Sequence, residues 1–586
     1  MQFYVVGPLD FVVILVIIRC MFVRFNTSPK TKNPIVQVVE SYRDNEKVRQ
    51  RIVASFGAAK SKDDLDRLQA LANDFLGKIE TERQKRRSSS PLFLAHGFDT
   101  TANQTKYGSQ PSATLVDPRF LAHRETVFDG FEQVVSALLK TAGFNSILST
   151  VAGRQSFALE DIVKLLLSQM FDDPSSKLRS YQRQEAHGFC GIKLQDLYRG
   201  MDKLLPLSEQ LQKQAYVACT GTNASLIQEK VSCLFVDVTT LYFESVMRDE
   251  IRDFGFSKDQ KFHSVQIVLC LAVNDEGIPM GYETFRGNTG EVKTFIPALR
   301  KMRTRFNVTS ATIVCDRGLA SLENVTELDT NGLTFIAATK IKHLPKQLAL
   351  NDLTTYTSTH ADEDESIKYK IVDHPKYPNA SLLVTYSARR AKKDKADRDR
   401  LLERLIGKLH GKESDPKISK LISNSGYKTF VSTKGDSKWS INEEAVGKAA
   451  SWDGFHGIAF SKKLELTVAD IIKNYRSLWR VEEAFRVAKT NLEIRPMYHW
   501  KRDRIQSHVL LCFIGLYCER MLEFRLRRSK TPLTPDRIRY ALQSIHTVRL
   551  TAGQQEIIVP SQLSADTKAI FKALKLPLRR RTIVNK

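Results

Sequence analysis

Two apolar runs that each stop at an aspartate set the strongest limit on how this chain can fold. Val231-Ser-Cys-Leu-Phe-Val-Asp237 and Ala311-Thr-Ile-Val-Cys-Asp316 are short and free of Gly and Pro, the pattern of a buried strand. Strand ends of an open α/β sheet line its crevice, so Asp237 and Asp316 can converge there on one ligand. A third carboxylate, Glu482, lies in Tyr475-Arg-Ser-Leu-Trp-Arg-Val-Glu-Glu-Ala-Phe-Arg-Val-Ala-Lys489, a strongly helical stretch. Packed on the sheet, that helix would complete an all-oxygen cage suited to Mg²⁺ or Mn²⁺. In-line displacement at a phosphodiester requires such a cage.

The helical stretch carries a second pattern. Tyr475, Glu482 and Lys489 are seven residues apart, a spacing that returns within about 20° of two full turns. In one continuous helix all three share a face, and a phosphate at the carboxylates finds a donor on either side of Glu482. Taken alone, the triplet reads as a half-buried phenol and a solvated lysine. Its coincidence with two strand-end aspartates favours the chemical reading. Further candidates for contact with a phosphate backbone are Arg480 and the charge run Arg389-Arg-Ala-Lys-Lys-Asp-Lys395, with Arg389 and Arg390 at its head. Such a run reads equally well as a solvated face.

Composition narrows the partner. A formal charge of +24 over 586 residues implies a polyanion, either nucleic acid or an anionic membrane surface. With 42% hydrophobic and 26% charged residues the chain is an ordinary globular one. It is long enough for several domains, because single cores rarely grow past about 250–300 residues. Eight scattered cysteines contain no C-x-x-C pair, which argues against a zinc site or a disulfide framework and fits a reducing cytoplasm. The apolar run Phe11–Ile18 falls far short of the roughly 18 residues a membrane span needs. It also lacks the flanks of a secretory signal. Residues 1–20 are therefore expected to be a spurious upstream extension, with translation starting at Met21 and no membrane partner.

Several longer segments carry a resemblance. Phe235-Val-Asp-Val-Thr-Thr-Leu-Tyr-Phe-Glu244, Gly255-Phe-Ser-Lys-Asp259, Gly287-Asn-Thr289, Cys315-Asp-Arg-Gly-Leu-Ala-Ser321 and Val481-Glu-Glu-Ala-Phe-Arg486 resemble the DDE transposases of bacterial insertion sequences. Within them the match is to the group with a Y-x2-R-x3-E-x6-K signature, over about residues 21 to 525. The resemblance implies an RNase H-like core, metal ligation by Asp237, Asp316 and Glu482, and terminal-phosphate contacts from Tyr475 and Lys489. It also implies two Mg²⁺ (or Mn²⁺) ions, double-stranded DNA as transposon ends and target, a homodimer in the DNA complex, and a nucleoid-associated place in the cytoplasm. One position departs: Leu478 stands where the signature has arginine. Leu478→Arg is expected to be tolerated.

The expected fold class is α/β. An RNase H-like core in two parts, 231–340 and 467–530, is interrupted by a mixed β-rich insertion domain at 341–466, since 165 residues separate Asp316 from Glu482. Ahead of it come a small basic β subdomain with helix and linker at 21–90 and a mainly helical region at 91–230. The latter, looped up to residue 126, is the candidate for binding the DNA end. A basic C-terminal region follows at 531–586, with a tail at Leu576-Pro-Leu-Arg-Arg-Arg581. Trp439 and Trp452 in the insertion could stack on an unpaired base, although tryptophan more often belongs to a core. The function expected is metal-dependent cleavage at insertion-sequence ends and strand transfer into target DNA. A nuclease without strand transfer would share the three carboxylates, but the long insertion and Lys489 weigh against it. A non-enzymatic DNA-binding derivative would be favoured by loss of a carboxylate, and all three are present.

Overall fold

The computed structural model describes residues 20–28, 31–44, 47–59, 64–73, 121–151, 158–220, 233–257, 261, 263–308, 310–359, 366–409, 428–434, 438–552, 555–578 and 582–585. Two compact units divide the chain, Met1–Ala113 and Thr114–Lys586. In the first, β1 (Cys20–Ser28), β2 (Thr31–Asp44) and β3 (Lys47–Ala58) form an antiparallel sheet with β2 at its centre. Val36 and Val38 lie on one face of β2 and pack with Ala72 of a helical segment at 64–73. Gln37 and Val39 between and after them are buried as well, where the β2–β3 register shifts. Apart from Cys20, the three strands lie within residues 21–90, where a small β subdomain is expected. The proposed extension at 1–19, the linker at 85–90 and the loop up to 120 lie outside the described residues.

Among the described residues, the second unit opens with β4 (Leu121–Val127) and the α-helices α1 (Asp129–Ala142), α2 (Phe144–Leu148), α3 (Leu159–Asp172), α4 (Lys177–Gln182), α5 (Leu194–Leu204) and α6 (Ser208–Thr220). Then come β5 (Cys233–Tyr242), β6 (Gln266–Val273), β7 (Pro279–Arg286), α7 (Glu291–Phe306), β8 (Thr312–Cys315), α8 (Leu322–Thr330) and β9 (Thr334–Thr339). Gly277, at φ +77°, turns the chain between β6 and β7, a conformation glycine adopts without strain. The middle of the chain supplies β10 (Thr357–Thr359), β11 (Ile367–Asp373), β12 (Ala380–Tyr386), α9 (Ala388–Leu409), β13 (Val431–Lys434), β14 (Lys438–Ile441), α10 (Glu443–Ala450) and β15 (Phe455–Ser461). Last are α11 (Val468–Arg476), α12 (Trp479–Thr490), α13 (Arg502–Arg528), α14 (Pro535–Gln543), β16 (Thr547–Ala552), β17 (Gln555–Pro560), α15 (Ala565–Ala573) and β18 (Ile583–Asn585).

One nine-stranded sheet organises this unit, in the order β10-β11-β12-β15-β9-β8-β5-β6-β7. The central strands β9, β8 and β5 are parallel to one another and the flanking pairs are antiparallel. Each face carries its own apolar layer. Val236, Val268, Ile313 and Phe335 pack beneath α7 and α8. Phe235, Leu269, Val314 and Ile336 pack with α12, α13 and the helices that precede the sheet. The long α13 is buried on most of its circumference, as a helix at the middle of a large core must be.

Three sequence expectations change. Residues 341–466 do not make a separate insertion domain throughout, because β11, β12 and β15 extend the central sheet through the antiparallel pairing of β15 with β9. A strand edge at β9 with exposed N–H and C=O groups is satisfied by recruiting these later strands. Residues 121–126, read as loop, belong to β4, which pairs with β16 in a four-stranded sheet, β18-β17-β16-β4. The region 531–586 is not merely a basic extension. Ile538, Leu542, Ile570 and Phe571 belong to the main core, whereas residues 579–581 of the tail lie outside the described residues. Trp452 packs edge-on to Phe455 at 6.0 Å beside a small apolar cluster, and the side chain of Trp439 lies outside the described residues.

Candidate active site

Asp237 sits within β5, and Asp316 directly follows β8. The two strands run parallel with Val236 opposite Cys315, so the next residues along are Asp237 and Asp316, on strands spaced about 4.8 Å apart. Side chains alternate across a strand. Val236 and Cys315 face the α7–α8 layer, so the aspartates share the opposite face with Phe235 and Val314. α12 covers that face, packing Val481, Ala484, Phe485 and Ala488 into the same core. Glu482 lies on the exposed side of α12.

Local contacts fix the aspartates. Asp237 is half-buried, and its Oδ1 accepts the Val238 N–H at 2.7 Å. Asp316 is exposed, and its Oδ1 accepts the Arg317 N–H at 2.6 Å. Their charges meet at Cys315, whose thiol is pushed far up by burial, then by Asp316 and Asp237. Toward the other end of α12 the Lys489 Nζ donates to Thr239 Oγ1 at 2.6 Å. Thr239 is two residues beyond Asp237 and so on its face of β5, which holds the ammonium on the carboxylate side of the sheet.

The stretch from Tyr475 to Lys489 is not one continuous helix, which corrects the sequence reading. α11 ends at Arg476 and α12 begins at Trp479. Between them Leu478 N–H bonds to Tyr475 C=O, Arg480 N–H to Ser477 C=O and Val481 N–H to Leu478 C=O. These i→i+3 bonds wind the backbone about 20° per residue tighter than an α-helix. Leu478 is drawn inward, at 7% exposure, and Tyr475 belongs to a different helix from Glu482 and Lys489.

Tyr475 nevertheless remains close to the carboxylates. Its half-buried phenol is pushed up by burial first and then by Asp316 and Glu482, against the opposing pull of Arg390 and Arg317. Its ring is tilted against His456 of β15, with centroids 5.1 Å apart. His456 is lowered to about 4 by burial, then by Arg390, Arg476 and Arg317. Tyr475 and His456 line a cavity of about 600 Å³ together with Arg389, Arg390, Lys393 and Arg476. Arg389 and Arg390 thus reach the Tyr475 cavity from α9, in the part of the chain that joins the central sheet. Arg480 is turned elsewhere: its Nη1 is 3.5 Å from Glu276 Oε2 in the β6–β7 turn.

Among the described residues, no three His, Cys, Asp or Glu side chains form a ready-made metal cluster. The donors still fit a hard divalent cation by their chemistry, since carboxylate oxygens suit Mg²⁺ and Mn²⁺. The in-register pair Asp237 and Asp316 is the part of the set brought side by side.

Comparison with known families decides the identity. The family model described as "Transposase DDE domain" matches residues 229–518, and that described as "IS1634 family transposase, N-terminal domain" matches residues 24–85. The chain belongs to the insertion-sequence DDE transposases. No curated protein matches it. In this transposase the N-terminal match begins within β1 and covers β2 and β3, and the DDE-domain match contains Asp237, Asp316, Glu482 and Lys489. Sequence reasoning missed Thr239, Arg317, Arg476 and His456 as neighbours of the site. Thr239 was legible as a same-face residue two positions from Asp237. His456 carried no local signal, because β15 approaches only through its pairing with β9 and β12.

Proposed function

We propose that Asp237, Asp316 and Glu482 are the catalytic carboxylates of this transposase, which cleaves double-stranded DNA at insertion-sequence ends and joins them to target DNA. The observation that carries this reading is the register of β5 and β8. It sets two aspartates side by side on the face that the Glu482 helix covers. Asp237 and Asp316 would hold one Mg²⁺ or Mn²⁺ between them, and Glu482 would help hold a second. When bound, such ions neutralise charge on the phosphodiester and acidify the attacking water or 3′-hydroxyl.

The chain's own groups do the rest. Lys489, oriented by Thr239, offers an ammonium to a DNA phosphate near the carboxylates. The Tyr475 phenol stays protonated at neutral pH, because burial and the carboxylates raise it, and so donates a hydrogen bond. Arg317, Arg389, Arg390 and Arg476 neutralise strand charge around the cavity, while His456 is uncharged at pH 7. Phosphoryl transfer rests on this positioning and charge compensation, without a covalent protein–DNA bond. The helices ahead of the sheet are proposed to bind the DNA end. The active assembly is proposed to be a homodimer on DNA, in the nucleoid. Among the described residues no helix is long and apolar enough to cross a membrane.

The test uses DNA carrying the element's terminal repeats, with Mg²⁺. Asp237→Ala, Asp316→Ala and Glu482→Ala should each lower cleavage by at least about 10²-fold. DNA binding should persist, since it comes mainly from Lys and Arg against phosphate. Glu483→Gln serves as the control, because Glu483 is paired with Arg486 at 2.6 Å. A wild-type cleavage rate in Asp316→Ala would sink the assignment, and a strand-joining assay separates the transposase from a simple nuclease.

A further inference from the structure

The loop after α12 helps close a second cavity, of about 220 Å³, against α3, α4 and α13. Lys177, His499 and His508 line it, with the hydroxyls of Ser175, Ser176 and Tyr198. Lys177 is only 8% exposed. Among the described residues no carboxylate or hydrogen-bond acceptor pairs with its ammonium. Glu493 is the one carboxylate among the lining residues and forms no ion pair with it.

A largely buried lysine without a counter-charge is costly, and proteins normally pair its ammonium. Here burial pushes Lys177 below the usual lysine value, and the one opposing group is the Cys512 thiol. That thiol is itself pushed up to about 12, so it carries no charge at neutral pH. His499 and His508 have rings 5.3 Å apart. His499 is lowered to about 4 by burial, then by Lys177 and Arg504. His508 is held well below its ordinary value by burial, Lys177 and His499, against a hydrogen bond with the Ile494 backbone. Its Nε2 lies 3.6 Å from Cys512 Sγ. The cavity therefore sets one cation and two uncharged imidazoles around a space in which no carboxylate pairs with the ammonium, Glu493 being exposed to solvent.

We propose that this cavity is an oxyanion site that takes a phosphoryl group, with Lys177 as its anchoring cation and His499 as a hydrogen-bond donor, His508 standing beside it. An ammonium among the donors disfavours a metal ion and favours an anion, since charge-assisted hydrogen bonds from Lys to phosphate are among the strong ones. The occupant ties the loop following the Glu482–Lys489 helix to α4 in the helical layer. A backbone phosphate of DNA and free phosphate share the required chemistry. The site stands on Lys177 and does not depend on the role given to the three carboxylates.

The test follows the imidazole ¹H–¹⁵N resonances of His499 and His508 in the full chain during titration with inorganic phosphate. Sodium chloride at matched ionic strength is the reference. Saturable shifts of both histidines are expected, with affinity at least about tenfold weaker in Lys177→Met. His499→Gln, read at His508, should weaken phosphate in the same direction and serves if Lys177→Met folds poorly. A second arm adds duplex DNA. If DNA shifts the same resonances and abolishes the response to phosphate, a backbone phosphate occupies the site. If phosphate still titrates both histidines in the DNA complex, the ligand is the free anion. Responses no larger than those to chloride, or equal affinity in wild type and Lys177→Met, overturn the proposal. None of these readouts requires cleavage, so failure here leaves the catalytic assignment to its own assay.

Discussion

Position 478 shows how one residue's surroundings can reverse an expectation drawn from a signature. A leucine occupies the place of the signature arginine, and it is buried in the core with Val481 and Phe485. Leu478→Arg would place a guanidinium in apolar packing, at a cost of roughly 3–5 kcal/mol. We therefore expect a marked loss of stability in chemical denaturation, contrary to the tolerance expected from sequence; an unchanged midpoint would show that the side chain escapes to solvent. Guanidinium charge instead reaches Tyr475 from Arg390 and Arg317, and His456 from Arg390, Arg476 and Arg317. Lys489 is a different case, because its ammonium already has a defined position at Thr239. Lys489→Met should weaken binding to cleaved element ends about tenfold more than binding to random duplex, in a side-by-side equilibrium assay. Equal losses on both DNAs would reduce Lys489 to a general surface charge.

At the scale of elements, the junction between β9 and β15 brings the middle of the chain to the proposed active site. Gly457 of β15 lies opposite Thr339 of β9. A Cβ there would stand 2.2 Å from Ile341 Cγ2 and 3.2 Å from Thr339 O. Gly457→Val should thus strain the junction, costing about 1–3 kcal/mol as overpacking does. It should also lower cleavage, because His456 and the Tyr475 cavity depend on this strand. Wild-type stability and activity together would argue that the junction does not couple the two regions. The interruption between α11 and α12 acts at the same scale. Its tight turns bury Leu478 while leaving Tyr475 within electrostatic reach of Asp316 and Glu482. A straight helix was not needed to gather the three groups.

For the whole molecule, burial of ionisable groups makes stability depend on pH in two opposed ways. His187, His374, His456 and His499 are each lowered to about 4, with burial the largest cause. Unfolding restores their ordinary values near 6.5, so the unfolded chain binds more protons between the two. Their contribution is present above about pH 6.5 and is lost as pH falls toward 4. Glu519 in α13 goes the other way: burial first, then Glu523, raises it to about 8. It disfavours the folded state increasingly as pH rises from its unfolded value of about 4.5 to 8. Glu519→Gln should therefore raise the melting temperature at pH 8 much more than at pH 5, as scanning calorimetry at both values can measure. An equal change at both values would show that Glu519 does not titrate in this range.

What the sequence determined by itself is local. The apolar runs ending in Asp237 and Asp316 and the helical pattern that presents Glu482 are written in contiguous residues. Backbone geometry and burial convert such patterns directly into strands, helices and their faces. Tertiary structure decided everything that depends on which distant segments meet. The register that sets Asp237 beside Asp316, the pairing of β4 with β16, the entry of β15 into the sheet and the contact of Lys489 with Thr239 join residues far apart in the chain. A strand's alternation states which face it buries but not its partner. That choice is made by satisfying backbone hydrogen bonds and apolar surface over the whole core at once.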